Sequence, residues 1–315
     1  MTAHVVLHLP ARMIAAMGGL RPPLLYGRIR DCLAARGVGV ALVEGFDADA
    51  WREDGDLHIV ENGRGQRPGV LNAATAYFEG FFHVDPVGIQ AASRIGGLRY
   101  DPAAVDEAVA QAYLVALQQR FAVPRRSRYK QTKAVSDLPQ GAIAVFLQGP
   151  APQRIGQAYC SFEAMLEAVC AGAGGRPVLV KPHPLKPELG AEIIAAVQAK
   201  GFAPITTDAN VHDILAACCA TVSINSATAM EGFLHGKPAV LFGRSDFHAL
   251  VQTAREPAEF EVALARALTD PPDYAKALHW YFGQHCLDIA ADSFDARLLA
   301  IFAEAGFDAA RLGLH

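Results

Sequence analysis

Two doubly wound, Rossmann-like α/β domains in tandem are what this sequence predicts, and three observations predict them. Short runs that are apolar throughout, at 142–147, 177–180 and 239–242, together with the strand-like run 221–224, alternate with segments of helical periodicity. Strands without polar alternation belong in parallel sheets covered on both faces. A length of 315 residues accommodates two such domains.

In chain order, 4–9 reads as a short apolar strand and 26–36 as a helix closed by Gly37, before a strand at 38–44. A strand at 57–60 leads into the turn-rich stretch 63–69, and 103–121 reads as a long amphipathic helix. Residues 124–140 are basic and polar with little periodicity, which predicts a linker and a division into domains 1–135 and 136–315 with a cleft between them. The second half alternates more cleanly. Helices are expected at 162–171, 188–200, 211–217 and 227–235 between the apolar strands, and at 257–268 and 273–286 after them.

A hydrophobic content of 52% with 19% charged residues describes a globular chain with a sizeable core. The net charge of -4 gives no general attraction to nucleic acid. Basic residues cluster at 125–133, which reads either as a solvated loop or as a surface for an anionic ligand or membrane. No signal peptide or membrane-spanning run is visible, and the six cysteines lack C-x-x-C spacing, so a cytoplasmic, reducing location is expected.

Chemistry-bearing residues gather where the apolar runs end, as they do in parallel α/β sheets. Lys181-Pro182-His183-Pro184 follows a strand directly, and the two prolines hold the imidazole on a stiff loop. His183 with Lys181 suits a phosphate; the alternative is a proline-rich turn whose histidine caps a neighbour. Asn225-Ser226-Ala227-Thr228 falls at a strand-to-helix turn, where hydroxyls and free N–H groups receive anions or simply cap the helix. Glu231 is spaced for a capping box with Thr228, or for the hydroxyls of a ribose. Gln148 ends the strand at 142–147, and Gly243 permits close approach beside Arg244 and His248. In the first half, Glu79 and Asp85 lie in an aromatic run with His83. Crowding there raises a carboxylate toward acid–base use, but the same run reads as a core helix followed by a turn.

At these residues the chain resembles the capsule polysaccharide biosynthesis and export family, which includes β-Kdo glycosyltransferases. The resemblance runs from about Arg128 to His248 through Arg128-Tyr129-Lys130-Gln131, Phe146-Leu147-Gln148, the His183 loop, the 225–231 turn and Gly236-Lys237-Pro238. It implies a GT-B-like pair of domains and a CMP-activated acidic sugar such as Kdo. His183 would contact the nucleotide phosphate, Ser226 and Thr228 the phosphate or the sugar carboxylate, and Glu231 the nucleotide. It implies no metal and no cofactor beyond the CMP-sugar donor, a lipid-linked or oligosaccharide acceptor, and peripheral inner-membrane contact through 125–133. One departure stands out. The family's acid a few residues after the Leu-Gln element is missing from Gln148-Gly149-Pro150-Ala151-Pro152-Gln153-Arg154. Neither Pro nor Gln serves as base or nucleophile. Asp85, Glu79 and His183 are therefore the catalytic candidates. The alternatives are a non-catalytic sugar-nucleotide- or glycan-binding subunit of an export assembly, and a UDP-sugar-using GT-B enzyme.

Overall fold

A computed structural model describes residues 2–19 and 22–314. The strands are, in chain order, β1 (Val5–Leu9), β2 (Val40–Glu44), β3 (Leu57–Glu61), β4 (Val70–Thr75), β5 (Phe81–Asp85), β6 (Ala142–Phe146), β7 (Val178–Lys181), β8 (Ile205–Thr206), β9 (Cys218–Ser223), β10 (Ala239–Leu241), β11 (Gln252–Thr253) and β12 (Leu287–Asp288). They form two six-stranded sheets in two compact units, one of Met1–Leu98 with Phe282–His315, the other of Arg99–Tyr281. This is the predicted fold class of two Rossmann-like α/β units.

The expected boundary at 135/136 does not coincide with this division. The C-terminal segment returns to the first unit: β12 pairs antiparallel with β5, and Phe294, Leu298 and Phe302 enter that unit's core. Residues 124–134 fold within the second unit instead of linking two domains. Asn210 Nδ2 donates to the Thr132 carbonyl (3.1 Å), and Gln131 accepts from the Val211 N–H (3.2 Å).

The first sheet runs β12-β5-β4-β3-β1-β2, parallel from β4 to β2. Its strands alternate. Leu57 and Ile59 of β3 meet the helices Leu24–Ala34 and Phe294–Glu304 on one face, while His58 and Val60 point the other way. That second face buries an unusual set of polar side chains: His8, His58, Asn72, His83 and Asp85. The run around Tyr77 is not a core helix. It is the turn of the β4–β5 hairpin, with Tyr77 in the left-handed region (φ 46) and Gly80 beside it.

In the second unit every strand is parallel, in the order β11-β10-β9-β6-β7-β8. Counted from β6 this is 3-2-1-4-5-6 read from β8, the doubly wound arrangement whose winding reverses between β6 and β9. The continuous apolar runs follow from burial on both sides. Ile143, Val145, Val180, Val222 and Val240 face helices Phe162–Ala171 and Phe260–Thr269; Ala144, Phe146 and Leu179 face helix Val211–Ala217. Each such Val, Leu or Phe contributes about 1.5–3 kcal/mol on burial. Ser161 and Asn210 cap two of these helices, accepting from Ala164 N and His212 N. The long helix expected at 103–121 is shorter, Glu107–Leu117, capped by Asp106 and continued by the single π turn Gln118–Ala122.

Candidate functional site

The winding reversal of the second sheet puts the ends of β7, β6 and β9 side by side. At about 4.8 Å per strand, the loops after β7 and β9 lie about 10 Å apart, with β6 between them. Leu147 N donates to the Lys181 carbonyl (3.0 Å), fixing the β6 and β7 ends together. His183, Gln148 and the Asn225–Thr228 turn therefore share one edge of the sheet, where doubly wound folds bind ligands.

Asn225 joins the pieces. Its side-chain oxygen accepts from Gln148 Nε2 (3.0 Å), its backbone N–H donates to Gln148 Oε1 (2.9 Å), and its Nδ2 donates to Gln157 Oε1 (3.1 Å) and the Arg244 carbonyl (3.0 Å). Asn225 and Gln148 thus set the geometry of the edge with their own polar atoms. Gly243 is required beside them: a Cβ there would lie 2.6 Å from Ile224 Cγ2 and 2.7 Å from the Gln157 carbonyl. Arg244 is exposed, and its guanidinium forms no ion pair among the described residues. His248 turns back to the Ser245 carbonyl (3.1 Å).

The His183 loop lines a cavity of about 260 Å³ with Lys130, Gln131, Thr132, Lys181, Thr206, Thr207 and Asp208. The Leu185 N–H donates to His183 Nδ1 (3.2 Å), so the neutral ring carries its proton on Nε2 and is a donor there. The Tyr129 ring meets the imidazole edge-on at 5.0 Å. Burial, then Arg128 and Lys186, holds the His183 pKa below its usual value. An anion placed against Nε2 would reverse the pull of those two cations. Lys181 is otherwise engaged: its ammonium donates to the carbonyls of Asp208 (3.0 Å) and Ala209 (2.7 Å), and burial lowers its pKa.

At the second turn, Ser226 Oγ accepts from Thr228 N (3.3 Å) and Ser226 N donates to Ser223 Oγ (3.0 Å). Thr228 Oγ1 is buried without a hydrogen bond. Glu231 forms no capping box. It is 4% exposed, its carboxyl bonds Ser127, and burial raises its pKa to about 7.

The two carboxylates expected from the first half belong to the other unit. Asp85 accepts from the N–H groups of Val87 (2.7 Å), Gly88 (3.0 Å) and Arg94 (3.1 Å), so it organises a turn. Glu79 is exposed on the β4–β5 hairpin turn. Asp208 went unread in the sequence and is the one acid among the residues lining the His183 cavity. Nothing in its local pattern signals a site; the fold of β7 against β8 brings it there. Tyr129 was legible as part of the Arg-Tyr-Lys-Gln element. Among the described residues, no group of three or more His, Cys, Asp or Glu side chains is arranged to hold a metal ion. No helix among them is long and apolar enough to cross a membrane.

Residues 154–268 match the family model described as "Capsule polysaccharide biosynthesis protein". No curated protein sequence matches the chain. Among solved structures it is similar to Thermosulfurimonas dismutans KpsC, beta Kdo 2,7 transferase, at 11% identity over 96% of this chain and 99% of that one, with a TM-score of 0.58. It is also similar to the beta Kdo 2,4 transferase of KpsC from the same organism, at 14% identity over 88% and 89%, with a TM-score of 0.53. At such identities the shared property is the fold. Residues 154–268, just over a third of the chain, are thus similar to the capsule polysaccharide biosynthesis family, and the chain shares with the two transferase structures a GT-B-like fold of two α/β units.

Proposed function

We propose that this chain is a glycosyltransferase of capsule polysaccharide biosynthesis that takes an acidic, Kdo-like sugar from a CMP donor and passes it to a lipid or glycan hydroxyl. The observation that carries the reading is the shared edge of the second sheet, where the His183 donor and the Ser226–Thr228 turn flank the end of β6. The donor phosphate accepts from His183 Nε2–H, with Arg128 and Lys186 offsetting its charge. The buried Thr228 hydroxyl gains the partner it lacks, which supports placing a ligand oxygen there.

In the reaction the bond from the anomeric carbon to the phosphate oxygen breaks and CMP leaves with the electron pair. A bond to the acceptor oxygen forms, and the acceptor's proton passes to a carboxylate. Asp208 is that carboxylate, since it lines the same cavity as His183. General-base assistance of this kind is worth roughly 10²–10⁴-fold in rate. Asp208→Asn is therefore expected to lower turnover of CMP-Kdo by at least a hundredfold while CMP affinity stays within a few-fold of wild type. Asp85→Asn and Glu79→Gln serve as comparisons; if either abolishes turnover in a folded protein while Asp208→Asn does not, the assignment moves to that residue.

A second reading, a non-catalytic subunit that binds the sugar nucleotide, is favoured by the acid-free stretch from Gln148 to Arg154. It predicts CMP binding by the wild-type chain without turnover of any CMP-sugar.

A further inference from the structure

The two sheets have four edges, and three of them are blunted by their shortness. The edge strands β12, β11 and β8 hold two residues each, whereas β2 runs from Val40 to Glu44, and nothing pairs with its outer side among the described residues. Proteins guard a long edge with Lys, Pro, a bulge or a covering segment. β2 carries no such guard: its sequence is Val-Ala-Leu-Val-Glu, and it pairs with β1 in unbroken register. Ala41, Leu42, Val43 and Glu44 are all exposed. Leu42 is 37% and Val43 42% exposed, although they point to opposite faces of the sheet.

The register tells which backbone groups are free. The Gly45 N–H donates to the Leu9 carbonyl (3.1 Å), and Leu7 stands opposite Leu42. Alternate residues of a strand bond the same neighbour, so Ala41 and Val43 turn their backbone groups to β1. Val40, Leu42 and Glu44 turn theirs to the open side. This triplet pairs completely with an antiparallel copy of itself when Leu42 lies on a two-fold axis. Leu42 then faces Leu42, each Val40 faces a Glu44, and every outward N–H and C=O of the three residues finds a partner.

Charge runs along the strand in the sense such a pairing needs. From Glu44 to Asp56 lie six acids (Glu44, Asp47, Asp49, Glu53, Asp54 and Asp56) and one base, Arg52. Before the strand, Arg28, Arg30 and Arg36 outnumber Asp31 and the Asp295 that pairs with two of them. An antiparallel copy sets the acidic end of each β2 toward the basic start of the other. A parallel neighbour would set acid beside acid.

We propose that two copies of the chain associate through β2, antiparallel about Leu42, so that their first sheets join into one. The contact is isologous and closed, and it removes the one long edge. One strand pair is a small contact, and small contacts associate weakly. The inference stands apart from the CMP donor, because self-association requires no nucleotide.

The test is sedimentation velocity of the full chain over a concentration series without nucleotide. A dimer that dissociates on dilution is expected. Leu42→Pro is expected to weaken it at least about tenfold: the Leu42 N–H faces outward, so its loss spares the bonds to β1 and removes those on the axis. Leu42→Lys, which sets two cations face to face, is expected to act likewise. The register is read by oxidative cross-linking. Residues opposed on the axis have Cα atoms about 5.5 Å apart, within disulfide reach. Leu42→Cys is therefore expected to form a covalent dimer faster than Val43→Cys, whose counterpart is Ala41. Wild type is the blank, since its own six cysteines are buried or half-buried. If Leu42→Pro fails to fold by circular dichroism, Leu42→Lys and the cross-link decide. A monomer at every concentration, variants that dimerise like wild type, or faster cross-linking through Val43→Cys would overturn the proposal.

Discussion

Glu231 lies wholly inside the second unit and shares its carboxyl with Ser127, on the segment that lines a basic cavity. Burial raises its pKa from an ordinary 4.5 to about 7, so the folded chain keeps a proton that the unfolded chain releases. The stability from this group is therefore full below pH 4.5 and is lost as the pH rises through 7, by at most about 3 kcal/mol. Glu231→Gln keeps the shape and the bond to Ser127 but cannot ionise. Its unfolding free energy, measured in urea, is expected to match wild type near pH 5 and to exceed it at pH 8. Half-buried His235, with a pKa pushed down to about 4, contributes the opposite slope, but it titrates alike in both proteins and drops out of the difference. An equal offset at both pH values would count against a protonated Glu231. At this scale the sequence named the residue but not its state: spacing from Thr228 suggested a capping box, and only the packing of Ser127 shows the carboxyl turned inward.

At the scale of elements, the ends of β6, β9 and β10 and the loop after helix Ala151–Arg154 are tied through Asn225 and a glycine. Gly243→Ala would place a methyl against Ile224 and the Gln157 carbonyl and drive those segments apart. Its expected cost is about 1–3 kcal/mol in urea unfolding, with weaker nucleotide binding. A variant as stable as wild type would show that the close approach is unnecessary. The parallel strands of the second sheet were readable because burial on both faces leaves them continuously apolar. β8, β11 and β12 were not, because two residues carry no periodicity. The β4–β5 hairpin was missed for a different reason. Tyr77 adopts a left-handed conformation in an aromatic run that mimics a core helix. The His183 and Asn225 loops were legible as strand ends; the bridging role of Asn225 and the placement of Asp208 depend on neighbours distant in sequence.

For the whole molecule, the first unit is discontinuous and the second is not. Ending the chain at Tyr281 would remove β12 and the core residues Leu287, Phe294, Leu298 and Phe302 from the first unit. Limited proteolysis of that truncation is expected to digest residues before Leu98 and spare a fragment of the second unit; a first unit that survives would mean its core closes without the C-terminal helix. No periodicity reveals this return, since a helix's apolar stripe does not say which sheet it covers. The proposed function depends, on this scale, on the second sheet presenting both of its loops to one pyrimidine monophosphate. Calorimetric titration of CMP into the wild-type chain and into His183→Ala addresses that most directly. A lost hydrogen bond to a charged group costs about 1.5–3 kcal/mol, so the variant should bind at least tenfold more weakly, and wild-type binding should take up protons near pH 6 as the phosphate raises the His183 pKa. A wild-type chain that does not bind CMP, or a His183→Ala variant that binds it equally well, would contradict the assignment.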